Sequence, residues 1–282
     1  MTPQLSPTDY SRYLARLLQA RPELAAEIAA PEALDRATLH AWLAEALLTE
    51  DNLKPVLRRL KQRSMMRIAS RDLAGLADLA EVIESMSLLA DMAVATALEV
   101  IEAGLVARYG EPRNATGERQ QLIVVGMGKL GGRELNVSSD IDLIFVYPED
   151  GDTDGNRSVS NFEFFTRLGK SLINALADIT GDGQVFRVDM RLRPNGDSGP
   201  LACSFGMLEN YFVAQGREWE RYAWIKARPL TGNRLDDLNA IVRPFVFRKY
   251  LDFGAFAAIR DLHVQIRREV ARREMQHNVK LG

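Results

Sequence analysis

A single cysteine, Cys203, stands among the 282 residues of this chain. One thiol cannot close an internal disulfide, and such sparing use suits a reducing compartment, so a cytoplasmic location is expected. Cys203 itself reads better as a small buried side chain than as a reactive thiol. Histidine is also scarce. His40, His263 and His277 lie far apart and lack metal-ligand spacing, which argues against an imidazole metal centre. The formal net charge is only -2 and the pI about 6.0. A general nucleic-acid binder would be basic, so nucleic acid is not an expected partner. Long apolar runs are missing too. The most apolar stretch, residues 76–107, is broken by Asp78, Glu81, Glu84, Asp91, Glu99 and Glu102, so no membrane span is expected. The opening MTPQLSPTDYSRYL has neither the basic start nor the apolar core of a signal peptide.

What is present is an ordinary soluble composition, 46% hydrophobic and 26% charged. The length is enough for a buried core and, at about 150 residues per domain, for two units. Residues 1–109 read as helix after helix. Ser6, Pro7 and Thr8 can start the first, with Tyr10, Tyr13, Leu14, Leu17 and Leu18 on one face. Thr38 can start another, carrying Leu39, Trp42, Leu43 and Leu47. From Leu76 onward a broad stripe (Leu79, Val82, Ile83, Met86, Leu89, Met92) predicts one or two long buried helices. Residues 110–117 (GEPRNATG) are turn chemistry without periodicity. The pattern then changes. Residues 121–125 and 141–147 predict buried strands, 160–176 a helix, 184–192 an alternating third strand, and 205 onward mainly helix, including an arginine-rich amphipathic helix over 256–275. The expected organisation is an N-terminal helical region (1–115), a catalytic core (116–230) and a C-terminal helical segment (231–282).

The chemistry-bearing segment is GMGKLGGRELNVSSDID, residues 126–142. Gly126, Gly128 and Gly131 fit the G-x-G-x-x-G fingerprint of dinucleotide sites. That motif needs a crossover helix and an acid about 20 residues further on. Here the next strand restarts roughly ten residues after Gly131, too soon for a parallel crossover. A metal site is the better reading. Asp140 and Asp142 alternate at the mouth of a strand, so both carboxylates face one way. Two like charges that close are unfavourable without a cation. Their hard oxygens suit Mg2+, with Mn2+ as a possible substitute. Asp189, in mid-strand where aspartate is a poor strand former, is the candidate third ligand. The bland alternative has Asp140 ending a serine-rich turn with Ser138 and Ser139, and Asp189 pairing with Arg187 or Arg191. The glycine loop weighs for the site. Gly131 and Gly132 let backbone approach a phosphate, and Gly128, Lys129 and Ser139 complete the candidate nucleotide contacts. Arg191 and Arg193, alternating with Asp189, would add guanidiniums suited to phosphate oxygens.

Three strings, GMGKLGGRELNVSSDIDLIFVY, FRVDMRLRPNGDSGPL and GREWERYAWIKARP, together resemble the glutamine synthetase adenylyltransferase family. The glycine and acid core resembles nucleotidyltransferases of the DNA polymerase beta type, with Gly131-Gly132 where many members have Gly-Ser. The resemblance is strong over residues 121–228 and looser in the helical flanks. It implies an α+β fold, a small mixed-sheet nucleotidyltransferase core embedded in a mainly helical chain. It implies metal binding at Asp140, Asp142 and Asp189. The wording of the strings is closest to the N-terminal, adenylyl-removing domain. The implied reaction is phosphorolysis of adenylyl-tyrosine on glutamine synthetase, releasing ADP. Adenylylated glutamine synthetase, nucleotide and phosphate, and the PII signal protein are the implied partners. Residues 278–282 look like the start of a further family motif, so a fragment is expected. Two rivals remain: AMP transfer from ATP to the tyrosine, and a non-catalytic domain that binds nucleotide or a regulator.

Other features are discounted. DGDTDG (150–155) nearly fits a calcium loop, but its bidentate glutamate position falls on Asn161 and a strand precedes it. The arginines of 267–273 read as a solvated helix face. Trp219, Glu220, Arg221, Trp224 and Lys226 are expected to pack beneath the site rather than touch substrate.

Overall fold

Capping side chains divide the N-terminal half into helices. In the computed structural model, which describes residues 6–30 and 32–247 together with Arg260, Val264, Gln265, Arg267 and Arg268, Ser6 precedes α1 (Pro7–Tyr10). The Ser11 hydroxyl then accepts from the Leu14 N–H and starts α2 (Arg12–Ala20). The single first helix expected from the apolar face is therefore broken at Ser11. After α3 (Ala25–Ile28), the Asp35 carboxylate caps α4 (Arg36–Thr49) through the Thr38 N–H, slightly ahead of the expected start. Asn52 caps α5 (Leu53–Leu73) and Asp78 caps α6 (Leu79–Tyr109). The last is one unbroken helix of 31 residues, about 46 Å long at 1.5 Å per residue.

The acids that interrupt its apolar run have structural duties. Glu81 pairs with Arg71, Glu84 with Arg133, Asp91 with Arg228 and Glu102 with Arg119. The interruptions are thus fastening points. Among the described residues no helix is long and apolar enough to cross a membrane.

The remaining elements are β1 (Pro112–Asn114), β2 (Ile123–Gly126), α7 (Gly128–Gly131), β3 (Ile141–Tyr147), β4 (Gly151–Thr153), α8 (Asn161–Ala177), β5 (Val188–Asp189), β6 (Ala202–Ser204), α9 (Phe205–Ala214), α10 (Glu218–Trp224), β7 (Arg228–Pro229) and α11 (Leu235–Val246). β1 and β4 form a small antiparallel ribbon. Residues 110–117 are therefore not only a turn, and the calcium-like loop is strand and turn. Asp154 there pairs with Arg113 and accepts from the Glu111 N–H at 2.7 Å.

The main sheet is mixed. β3 pairs antiparallel with β2, which pairs antiparallel with β7. Along the other edge of β3 run β5 at its start and β6 at its end, both parallel. The chain is α+β. The antiparallel β2–β3 hairpin leaves no crossover, which removes the dinucleotide reading of the glycine motif. The expected strand over 184–192 shortens to Val188–Asp189, because the chain turns just beyond it, with the Arg193 N–H on the Met190 carbonyl at 3.2 Å.

β3 is buried on both faces, as its continuous apolar run requires. Leu143, Phe145 and Tyr147 join Leu57, Met86, Leu89, Phe164 and Leu172 in the larger core. Ile144 and Val146 join Leu208, Phe212, Trp224 and Phe245 on the opposite side, beneath α9 to α11. The expected helix over 256–275 and residues 278–282 lie outside the described residues, apart from the isolated positions named above, which are helical.

Candidate active site

The register of two strands brings the acids together. Asp142 of β3 is the direct Cα partner of Asp189 of β5. Because the pair is parallel and side chains alternate, both carboxylates stand on one side of the sheet. Asp140 lies two residues upstream and shares their parity. That parity is also that of Ile144 and Val146, so the acids face the layer of α9 to α11. The Ile141 N–H on the Arg187 carbonyl at 2.9 Å and the Arg187 guanidinium on the Ser138 carbonyl at 2.9 Å fix the entry to both strands.

The glycine loop runs beside Asp142. Gly128 has φ +54°, and a Cβ there would lie 2.9 Å from the Asp142 Oδ2. A side chain at 128 would therefore be strained and would push the acid away. Gly131 has a different reason. Its Cβ would fall 2.0 Å from the Lys226 carbonyl. The N–H groups of Gly131 and Gly132 bond the carbonyls of Met127 and Gly128, so they are spent inside the turn rather than offered to a phosphate. Gly132 sits beside the Lys226 stem, and Ser139 closes a turn through its N–H to the Asn136 carbonyl. Lys129 occupies the second position of α7.

Arg191 and Arg193 part company. Arg191 grips Asp189: its Nε donates to both carboxylate oxygens, at 3.0 and 2.8 Å, while its backbone N–H reaches Oδ1 at 2.9 Å. The hydrogen bond to Asp189 raises its pKa first, the Asp189 charge adds to this, and Asp142 contributes from further off. Arg193 turns inward, donating to the carbonyls of Met190 and Gly199 and facing Asp197. It holds the 190–199 loop.

The string GREWERYAWIKARP mostly braces the site, as expected. Trp224 is buried in the second core. Arg221 donates to the Phe245 carbonyl and Lys226 pairs with Glu134 at 2.7 Å. Glu220 is buried, accepting from the Tyr211 hydroxyl at 2.5 Å and the Arg217 N–H at 2.8 Å. Trp219 departs from that expectation: it is 38% exposed and lines an open cleft. Sequence reasoning missed the brace beneath the loop. Arg228 binds Asp91 through two bonds of 2.9 Å and also donates to the Leu130 and Gly131 carbonyls. An acid inside the apolar stripe of α6 was the available signal. Cys203 is buried in β6, its thiol pushed up to about 12 by burial.

The donor chemistry and the strand register fit a hard divalent cation, for which carboxylate oxygens are the preferred ligands. As the side chains stand, no three His, Cys, Asp or Glu groups among the described residues close around an ion. The Arg191 guanidinium instead supplies positive charge to Asp189.

Residues 8–240 match the family model described as glutamate-ammonia ligase adenylyltransferase. Similar proteins bear the name bifunctional glutamine synthetase adenylyltransferase/adenylyl-removing enzyme. One from Aromatoleum aromaticum is 62% identical over 274 residues, covering 96% of this chain and 29% of the relative. One from Chromobacterium violaceum is 58% identical over 280 residues, covering 97% and 31%. One from Nitrosomonas eutropha is 53% identical over 284 residues, covering 97% and 31%. The chain thus spans under a third of the length of these relatives.

Proposed function

The chain belongs to the glutamate-ammonia ligase adenylyltransferase family, and from that premise we propose that it carries the adenylyl-removing reaction named in its relatives. Its core is a nucleotidyltransferase of the DNA polymerase beta type. Inorganic phosphate attacks the adenylyl-tyrosine of glutamine synthetase, the bond from phosphorus to the tyrosine oxygen breaks, and ADP and free tyrosine leave. The observation that carries this reading is the in-register pair Asp142 and Asp189, with Asp140 two residues upstream.

Mg2+ held by Asp140, Asp142 and Asp189 would supply charge neutralisation at the reacting phosphoryl group. The protein's own side chains do the rest. Gly128 leaves the space that keeps the Asp142 carboxylate at the site. Arg191, released from Asp189, presents a forked guanidinium to phosphate oxygens. Lys129 adds a point charge beside them. The tyrosinate, with a reference pKa of about 10, is a fair leaving group and needs no strong acid.

The test is ADP formation from adenylylated glutamine synthetase, phosphate and Mg2+. Asp140→Asn with Asp142→Asn should abolish it without changing the thermal transition by more than a few degrees. Full turnover in that double variant ends the proposal. AMP incorporation from ATP into unmodified glutamine synthetase, without ADP release, would assign the opposite direction.

A further inference from the structure

We propose that the cleft beside Asp189 is the seat of the purine nucleoside of the adenylyl group, an assignment that rests on the reaction proposed above. The cleft has a volume of about 510 Å³ and runs from Arg191 along the 195–200 turn to Arg217 and Trp219. Small-molecule sites typically span about 300–1,000 Å³, so it is far too large for inorganic phosphate alone and suits a nucleotide. Its position is set by the fold. Arg191 lines it and also grips Asp189, so one end of the cleft lies a single side chain away from that acid. Tyr211 of α9 and Trp219 of α10 lie in the layer that Asp140 and Asp142 face.

The lining chemistry selects a flat ring carrying an anion. The turn offers no anion nest, because the N–H groups of Gly196, Ser198 and Gly199 bond the carbonyls of Arg193, Asn195 and Gly196. The cationic groups of the lining are the guanidiniums of Arg191 and Arg217 at its two ends. Glu220, the buried acid of the wall, has one oxygen taken by the Tyr211 hydroxyl and the other by the Arg217 N–H. That wall is fixed before any ligand arrives. The half-exposed indole of Trp219 is a stacking surface, and the Gln215 amide can both donate to and accept from a base edge. A phenol has no such edge, which favours the purine over the tyrosine side of the phosphodiester.

The test is equilibrium binding of ADP to the full chain, run beside the ADP-release assay. Base stacking on an aromatic side chain is worth about 1–3 kcal/mol. Trp219→Ala should weaken ADP at least about fivefold, Trp219→Phe should restore most of it, and Arg217→Ala should weaken it less. Adenosine should compete for the Trp219-dependent site, whereas O-phosphotyrosine should not. ADP affinity within twofold of the parent in Trp219→Ala overturns the assignment, as does competition by O-phosphotyrosine but not adenosine. Phosphate-dependent ADP release with Trp219-independent binding defeats the cleft assignment alone. Trp219-dependent binding without any ADP release defeats the reaction and keeps the nucleotide seat.

Discussion

At the scale of single residues, the site is built from positions whose neighbours leave little choice. Gly128 combines a left-handed φ of +54° with a position where an added Cβ would lie 2.9 Å from the Asp142 Oδ2. An alanine there incurs roughly 1–2 kcal/mol of backbone strain and displaces the carboxylate. Gly128→Ala should lower stability by about that amount and cut ADP release by tenfold or more. A fully active Gly128→Ala protein would show that Asp142 does not need this space. Arg191 makes the opposite kind of prediction. It holds Asp189 with a charge-assisted pair that a divalent cation must displace. Arg191→Gln should therefore tighten Mn2+ binding, read by titration without substrate, while raising the KM for phosphate. Unchanged Mn2+ affinity would mean that the guanidinium and the ion do not compete.

At the scale of elements, α5 mounts the third acid. Arg58, buried in α5, donates to the carbonyls of Lys54, Ala175 and Gly183 and binds that of Asp178. Lys61 reaches the Val185 carbonyl and Gln62 that of Asp182. One polar stripe thus ties α5 to the end of α8 and to the segment that leads into β5. Arg58→Met should cost about 3 kcal/mol or more, since the buried carbonyls lose their donor. Lys61 gives a pH signature. Burial, with the charge of Arg187 adding to it, brings its amine down to about 8 from the ordinary 10.5. Between those values the unfolded chain binds more protons than the folded one, so stability should rise as pH climbs from about 8 to 10.5. Below pH 8 the penalty is fully present. Melting curves of the parent and Lys61→Met across this range should diverge in slope, and identical slopes would remove Lys61 from the account.

At the scale of the whole molecule, the sequence and the structure agree where periodicity is long and part where pairing is distant. α6, α8 and β3 were legible because each repeats its apolar spacing over several turns or pleats. Asp140 and Asp142 drew notice because two acids at the start of an apolar strand call for a reason. β5 was legible only as part of a longer expected strand, and β6 and β7 were not legible, since two or three residues carry no period and their pairing depends on residues far along the chain. The Asp91–Arg228 brace, spanning 137 positions, was hidden for the same reason. Those distant links predict that the sheet depends on the helices. Met86, Leu89 and Ala93 of α6 share one continuous core with Phe145 of β3 and Phe164 and Leu172 of α8. Removing residues 1–115 would expose that face and leave Arg228, which is 25% exposed, without its carboxylate. Each fully buried apolar side chain left uncovered costs about 1.5–3 kcal/mol, and several of them make up a large share of the roughly 5–15 kcal/mol that holds a domain together. The shortened chain should accordingly show no cooperative thermal transition and bind a hydrophobic dye. Asp91→Ala in the full chain should unfold at lower temperature yet still cooperatively. A sharp transition in the shortened chain would mean that the sheet and its acids fold without the helices that now cover them.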